Sequence, residues 1–499
     1  METLIQALKA INDVIWGPGM LILLIGTGLY LTLGLRFYTF RNIFSAFSML
    51  WKGRTSSAGD KGELTPFNAL MTALAGTIGT GSIVGVATAV LSGGPGAVLW
   101  MWLTGILGMA TKYTEVYAAM KYRVKDGNGR MIGGAMYALE RGFKHKGLGK
   151  FLAVLFALFT AIASFGIGAS VQSNSLAGAL TSSSIIPGAA DIPTWAIGIV
   201  VTILVAIVII GGLKKVSKVC EKLVPIMAIF YVACCLIIIG MNGAYLWDAV
   251  VTIVSCAFTG QAAFGGAVGS GIMLALQYGF KRGLFSNESG LGSAPLVAAS
   301  AISKNPARQA LVSMSGTFWD TVVICLITGL MLVTSLLANP DLAAIYNNTL
   351  LANSDMSFDA ALGIFSGGAA LATACFESIP VLGPLVLVVG LLCFTYSTML
   401  GWSQYGDRAI TYLFGTKGIR PYQVVFLVFV FWGCIGGGDL VWNLSDISNA
   451  LMAVPNCIAV LVLSGVIAKG TKYWVYEGRL EEEDPTQIPT VATVDHPTA

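Results

Sequence analysis

Three glycines in six residues, Gly76, Gly79 and Gly81, interrupt an apolar stretch that runs from about 64 to 91, and the hydroxyls of Thr77, Thr80 and Ser82 sit among them. A break of this kind at mid-membrane depth frees backbone N–H and C=O groups that hydrocarbon cannot satisfy, so they must face protein, water or a ligand. Carbonyls at the end of the first half-helix suit a hard cation such as sodium, which takes oxygen ligands. The half-helix that starts after Gly81 aims its positive N-terminal end into the gap, which suits a carboxylate. Close helix packing also uses small residues, but hydroxyls set among three glycines exceed a plain small-residue stripe.

A second interruption lies at 260–271, within an apolar stretch from about 245 to 280, and carries Gly260, Gln261, Phe264, Gly265, Gly266, Gly269 and Gly271. Carbonyls near Gly260 could meet an ammonium, and Phe264 could cap a small ligand or simply face the core. Gln172 lies mid-span beside Ser170, Ser173 and Asn174. An amide there is costly unless bonded, so it either meets a ligand or joins helices. Thr395, Ser397 and Thr398 offer hydroxyl oxygens to a cation, unless they bond back to their own helix. Thr398 and Trp402 are four apart and share a helix face. Asp320 lies about a dozen residues inside its span, and an intramembrane carboxylate is a functional candidate by default. It could hold the cation, carry a proton or be paired structurally. Lys112 and Glu115, three apart near a helix end, read as a structural pair.

The elements that position these residues are membrane helices. Hydrophobic residues make up 56% of the 499 and charged residues 11%, against about 25% charged in a typical soluble domain. About eleven stretches approach the ~20 residues needed to cross the hydrocarbon, at roughly 18–35, 65–92, 97–121, 151–180, 194–212, 221–240, 246–280, 309–337, 381–412, 422–436 and 447–468. No secretory signal precedes the first; residues 1–12 read as an amphipathic helix on the membrane surface. Apart from Lys9, the 29 Lys and Arg fall in alternate linkers (36–61, 112–150, 214–222, 281–308, 408–420 and from 469 on), while 181–193, 241–245, 338–380 and 437–446 hold none. Basic linkers stay cytoplasmic, which predicts an outer N-terminus and an inner C-terminus. The net charge of +4 therefore reports orientation rather than nucleic-acid binding. The cysteines show no C-x-x-C spacing and read as small buried hydrophobes. Only two histidines, His145 and His496, are present, and both lie outside the spans, which argues against an intramembrane zinc enzyme. No phosphate-binding loop points to ATP drive.

After the first span, ten remain and divide five and five at about residue 243, each half opening with its glycine-broken helix. An odd number of spans per half makes the second half inverted, the arrangement of transporters whose site lies at the repeat interface near the midplane. The expected organisation is 1–63 (surface helix, extra span and linker), 64–243 (first repeat), 244–470 (second repeat) and 471–499 (cytoplasmic tail). The long outer linker at 338–380 reads as a lid or a surface insertion. The polar tail after Glu477, with four acidic residues at 481–484, is expected to be disordered.

At these residues the chain resembles the alanine or glycine:cation symporter family, whose members carry small amino acids with sodium. The stretches that carry the resemblance are 79–89, 93–102, 282–295 with its Ser286-Asn287-Glu288 block, and 400–406. The resemblance implies an all-α membrane protein with a LeuT-like core of 5+5 inverted helices plus one extra N-terminal helix. It implies substrate contacts at Thr80, Gly81, Gln172, Phe264 and Trp402, and a sodium site between the first break and Thr398. Together with the residue-level candidates, the expected sodium set is Gly76, Thr77, Gly79, Thr395 and Thr398, with Gly260 added to the substrate set. Two departures stand out: Ser82 where the family usually has Asn, and Ser289 where it often has Ala. They bear on details of the ion or substrate shell. Competing expectations are proton coupling through Asp320, a channel, and a transporter-like receptor that binds without turnover.

Overall fold

The computed structural model describes residues 2–53, 62–181, 186–259, 271–352, 371–377, 382–436 and 438–491. Among them the one sheet is an antiparallel hairpin pairing Val124–Lys125 with Met131–Ile132. The longer helices run α1 Glu2–Ile15, α2 Pro18–Gly34, α3 Ile43–Lys52, α4 Pro66–Thr77, α5 Val84–Gly93, α6 Ala97–Lys121, α7 Ala135–Gly142, α8 Lys146–Thr181, α9 Thr194–Ile209 and α10 Gly212–Met241. They continue as α11 Leu246–Thr259, α12 Ile272–Asn287, α13 Pro306–Ala338, α14 Pro340–Ala352, α15 Leu382–Phe414, α16 Ile419–Ile435 and α17 Gly438–Thr471. Six of the described helical stretches are long and apolar enough to cross a membrane, namely those within α8, α10, α13, α15, α16 and α17; α2, α5, α9 and α11 are apolar but shorter.

The polarity of the bundle matches a lipid solvent. Ile199, Val200, Ile203, Leu204 and Ile207 of α9 and Ile226, Ile229 and Leu236 of α10 face outward, whereas Gln172, Asp320, Thr398 and Glu288 are buried. Since hydrocarbon gives helices no hydrophobic reason to associate, close packing through small residues and buried hydrogen bonds must hold them together. Helix α12 lies along α6 in this way: a Cβ at Gly279 would fall 2.6 Å from the Ala97 carbonyl oxygen. Helix α6 also packs along α13, and α4 packs against both α10 and α15. Helix α8 packs on α15, and α9 on α16. None of the nine cysteines forms a disulfide, and eight of them are buried.

Two helices carry wide π-type turns, at Ser164–Ser170 in α8 and Phe318–Cys325 in α13. Such turns displace the regular i→i−4 ladder and often occur at functional sites. The first ends two residues before Gln172, and the second contains Asp320.

The tail departs from the expectation of disorder. The described part of the tail, to Val491, is anchored by distant loops. Asn305 Nδ2 donates to the carbonyls of Leu480 and Glu482 at 2.9 and 3.0 Å, and Asp484 N donates to Lys304 O at 2.8 Å. Lys125 N donates to Pro489 O at 2.8 Å, and Glu481 pairs with Arg308 and, at 3.3 Å, with Lys304. Composition could not reveal these partners, because they lie 173 residues or more away in sequence. The Arg308 guanidinium holds the Glu481 carboxyl below its ordinary value. With a lowered folded-state value, the pair contributes above the ordinary glutamate range, and its contribution is lost as pH falls through the lowered value. The side chain is largely exposed, so the contribution should stay under about 1 kcal/mol. Limited proteolysis across pH should show the tail opening only on the acid side, and Glu481→Ala should remove that dependence.

Candidate substrate and ion site

The first break is built as a turn between two half-helices. Helix α4 ends at Thr77, Thr80–Ser82 forms a single 3₁₀ turn, and α5 begins at Val84. Across it, Ser82 N donates to Gly79 O at 3.2 Å and Ile83 N to Thr80 O at 3.3 Å. Close approach demands glycine at 79, where a Cβ would fall 2.6 Å from Thr398 Oγ1 and 3.4 Å from Gln172 Oε1. The break thus meets α15 and α8 on this side. Gly81 faces α12, with Phe285 and Ser286 against it. Thr80 Oγ1 and Gln172 Oε1 are both buried without a hydrogen-bond partner among the described residues. Buried polar atoms rarely stay unpaired, so two of them flanking one glycine mark a place for a polar ligand. Gln172 is held by its other end: Nε2 donates to Ile167 O at 3.0 Å, in the π turn.

The hydroxyls separate into two groups. Thr398 Oγ1 donates its proton to Phe394 O at 2.8 Å and lies 3.5 Å from Ile78 O. With the proton directed into its own helix, the hydroxyl turns lone pairs toward the Ile78 carbonyl, and two oxygens facing each other in this way suit a cation. Thr395 bonds to Leu391 O at 2.7 Å and Leu392 O at 3.3 Å, and Thr77 bonds to Leu74 O at 3.2 Å. Both are back-bonded to their own helices. Gly76 serves close packing: a Cβ there would meet the Tyr405 hydroxyl at 2.6 Å, and one on Gly401 would meet Gly76 N at 2.7 Å.

On the far side of the break stands Asp320, fully buried. Its Oδ1 accepts from Ser82 Oγ at 2.9 Å, Ser286 Oγ reaches both carboxylate oxygens at 3.0 and 2.9 Å, and Thr321 Oγ1 donates to Oδ2 at 2.7 Å. Three hydroxyl donors suit an ionised carboxylate. Among the described residues no Lys or Arg forms an ion pair with it. The break, α12 and the π turn of α13 therefore meet at this carboxylate. The sequence flagged Asp320 and Ser82 but missed Ser286 and Thr321. Ser286 was legible only as part of a motif, and Thr321 as a neighbour.

Trp402 is fully buried one turn from Thr398, and its indole Nε1 donates to Glu288 Oε1 at 2.8 Å. Glu288 follows the last residue of α12 in a left-handed conformation (φ 55°). Ser293 Oγ donates to its Oε2 at 2.5 Å, and Lys112 Nζ to its backbone oxygen at 3.0 Å. Lys112 also stands 3.8 Å from Glu115, as the spacing predicts, and Glu115 Oε1 accepts from Asn456 and from Gly290 N. Gly260 and Phe264 lie outside the described residues.

A helical bundle with an apolar exterior and helices long enough to cross a bilayer is that of a multi-pass membrane protein, and the proteins it resembles are transporters rather than enzymes. The sodium:alanine symporter family matches over residues 1–488, and the chain belongs to that family, in which sodium is the co-transported ion. A sodium/alanine symporter of Methanococcus maripaludis is 46% identical over 469 residues, covering 94% of this chain and 96% of its own. An uncharacterized transporter of Haemophilus influenzae is 44% identical over 487 residues, covering 97% and 99%. A probable sodium/glutamine symporter of Bacillus subtilis is 32% identical over 476 residues, covering 95% and 91%.

Proposed function

We propose that the chain carries alanine, glycine or a similar small neutral amino acid into the cell together with sodium, by alternating access. The observation that carries this reading is the glycine break flanked by two unpaired buried oxygens, Thr80 Oγ1 and Gln172 Oε1, with Thr398 set against Gly79. The substrate carboxylate meets N–H groups around Thr80 and Gly81. Its ammonium finds the Gln172 amide oxygen and carbonyls near Gly260, and Trp402 and Phe264 limit side-chain size. Sodium lies between Thr398 and the carbonyls at the end of α4, with Thr395 and Gly76 outside its immediate shell. Coupling requires that both ligands favour the same conformer.

The architecture in this reading is eleven spans in the cell membrane with the N-terminus outside, and a LeuT-like core of repeats at 64–243 and 244–470. The packing of α8 on α15 and of α9 on α16 supports it, since these are the third and fourth spans of each half. Radiolabelled alanine uptake into proteoliposomes tests the function. An inward sodium gradient should drive uptake and an equal potassium gradient should not. Equal uptake with both ions would sink sodium coupling.

Proton coupling is a second reading, favoured by the buried Asp320 carboxylate held by hydroxyls alone. We expect Asp320→Asn to keep at least about half of sodium-driven uptake, because the amide keeps one acceptor for the hydroxyl cage. Uptake driven by a pH gradient without sodium, and lost in Asp320→Asn, would favour the proton instead.

A further inference from the structure

We infer that Glu288 is a positioning residue for Trp402, and that their bond fixes how the end of α12 meets the substrate site. The inference rests on the symport reading, in which Trp402 limits substrate size. Trp402 projects from α15 one turn beyond Thr398, and its stem packs against α8: a Cβ on Gly168 would fall 2.3 Å from Trp402 Cβ. Its ring also stands edge-on to Tyr405 at 5.2 Å, and the Tyr405 hydroxyl donates to Ala73 O of α4. These contacts hold one side of the indole. A buried indole N–H needs an acceptor, and here the acceptor is Glu288 Oε1 at 2.8 Å.

Glu288 is itself held. Ser293 occupies its second carboxylate oxygen, Lys112 binds its backbone carbonyl, and the left-handed backbone turns the residue off the end of α12. The ring therefore cannot shift without either breaking this buried hydrogen bond or carrying the end of α12 along. The same half-helix presents Phe285 and Ser286 to Gly81 of the first break. Glu288 thus ties the indole to α12, the helix that also packs against the break, so a shift at the end of α12 would be passed to the indole.

The test uses the full chain in proteoliposomes, with Glu288→Ala, Glu288→Gln and Trp402→Phe. Loss of one buried hydrogen bond corresponds to roughly three- to tenfold. Glu288→Ala and Trp402→Phe should each raise KM for alanine by about that factor with a smaller effect on maximal rate, and should weaken discrimination against larger amino acids. The double variant should be no worse than the worse single one, since both remove the same bond. Glu288→Gln keeps an oxygen acceptor and should restore KM to within about threefold. Additive losses, or a Gln variant as impaired as Ala, would overturn the inference. Trp402→Phe leaves the bonds from Ser293 and Lys112 to Glu288 in place, so it remains decisive if Glu288→Ala fails to fold. An unchanged KM and selectivity in Trp402→Phe would overturn the inference alone. Wild-type protein without sodium-driven alanine uptake would overturn the symport reading and this inference with it.

Discussion

Thr398→Ala should raise the sodium concentration for half-maximal alanine uptake at least tenfold, while Thr398→Ser should stay within about threefold of the parent. The Thr398 proton goes to Phe394 O at 2.8 Å, so the oxygen faces Ile78 O, 3.5 Å away, with lone pairs only. Oxygens about 3.5 Å apart can share a cation bound at ~2.4 Å from each, the usual reach of hard cations of this size. Alanine removes one of a handful of oxygen ligands. A loss of 1.4 kcal/mol or more in ion binding corresponds to about tenfold or more. Serine keeps the oxygen and loses only a methyl group. The check is a sodium titration of radiolabelled uptake in proteoliposomes. Unchanged sodium activation in the alanine variant would remove this ion site. Thr395→Ala should have a much weaker effect: both hydroxyls bond back to their own helix, but only the Thr398 oxygen also stands against Ile78 O and Gly79 of the break.

Two glycine substitutions should separate site from scaffold. Gly79→Ala should lower uptake by about a hundredfold while the protein still folds. Its Cβ would meet Thr398 Oγ1 at 2.6 Å and Gln172 Oε1 at 3.4 Å, both at the ends of side chains that can turn away, at the expense of the polar site. Gly401→Ala should instead destabilise the fold. Its Cβ would meet Gly76 N at 2.7 Å and Gly76 Cα at 2.9 Å, backbone atoms that cannot rotate aside. Overpacking of this kind typically costs about 1–3 kcal/mol, and the upper end is expected here. Thermal unfolding in detergent, measured beside uptake, distinguishes the two. A Gly79→Ala protein with the same loss of melting temperature as Gly401→Ala would make Gly79 a packing position only.

The first break was legible because its signal is local. Glycines and hydroxyls adjacent in sequence, inside an apolar span, leave backbone groups that only an internal partner can satisfy. Asp320 was legible for a similar reason, since a lone carboxylate among apolar residues needs an explanation wherever the chain goes. Its surroundings were not legible. Ser82 comes from 238 residues away and Ser286 from 34, and a serine in a span is more often bonded to its own helix. The π turns that set Gln172 and Asp320 were invisible, because they arise from packing rather than from a residue type. The anchoring of the tail as far as Val491 was not legible, because acidic, Pro- and Thr-containing composition describes what a segment lacks, not what a distant loop offers it.

By itself, then, the sequence determined the class of protein, the apolar spans, the first break and the polar residues too costly to bury without a role. These follow from chain-local physics: a membrane admits only helices with satisfied backbones, and it penalises each exception. Only the tertiary structure decided which exceptions meet. It placed Thr398 and Gln172 against Gly79. It drew Ser82 and Ser286 to Asp320 and tied Trp402 to Glu288, 114 residues away. Those pairings depend on where helices cross, and crossings are set by small residues and buried hydrogen bonds acting between segments far apart in the chain.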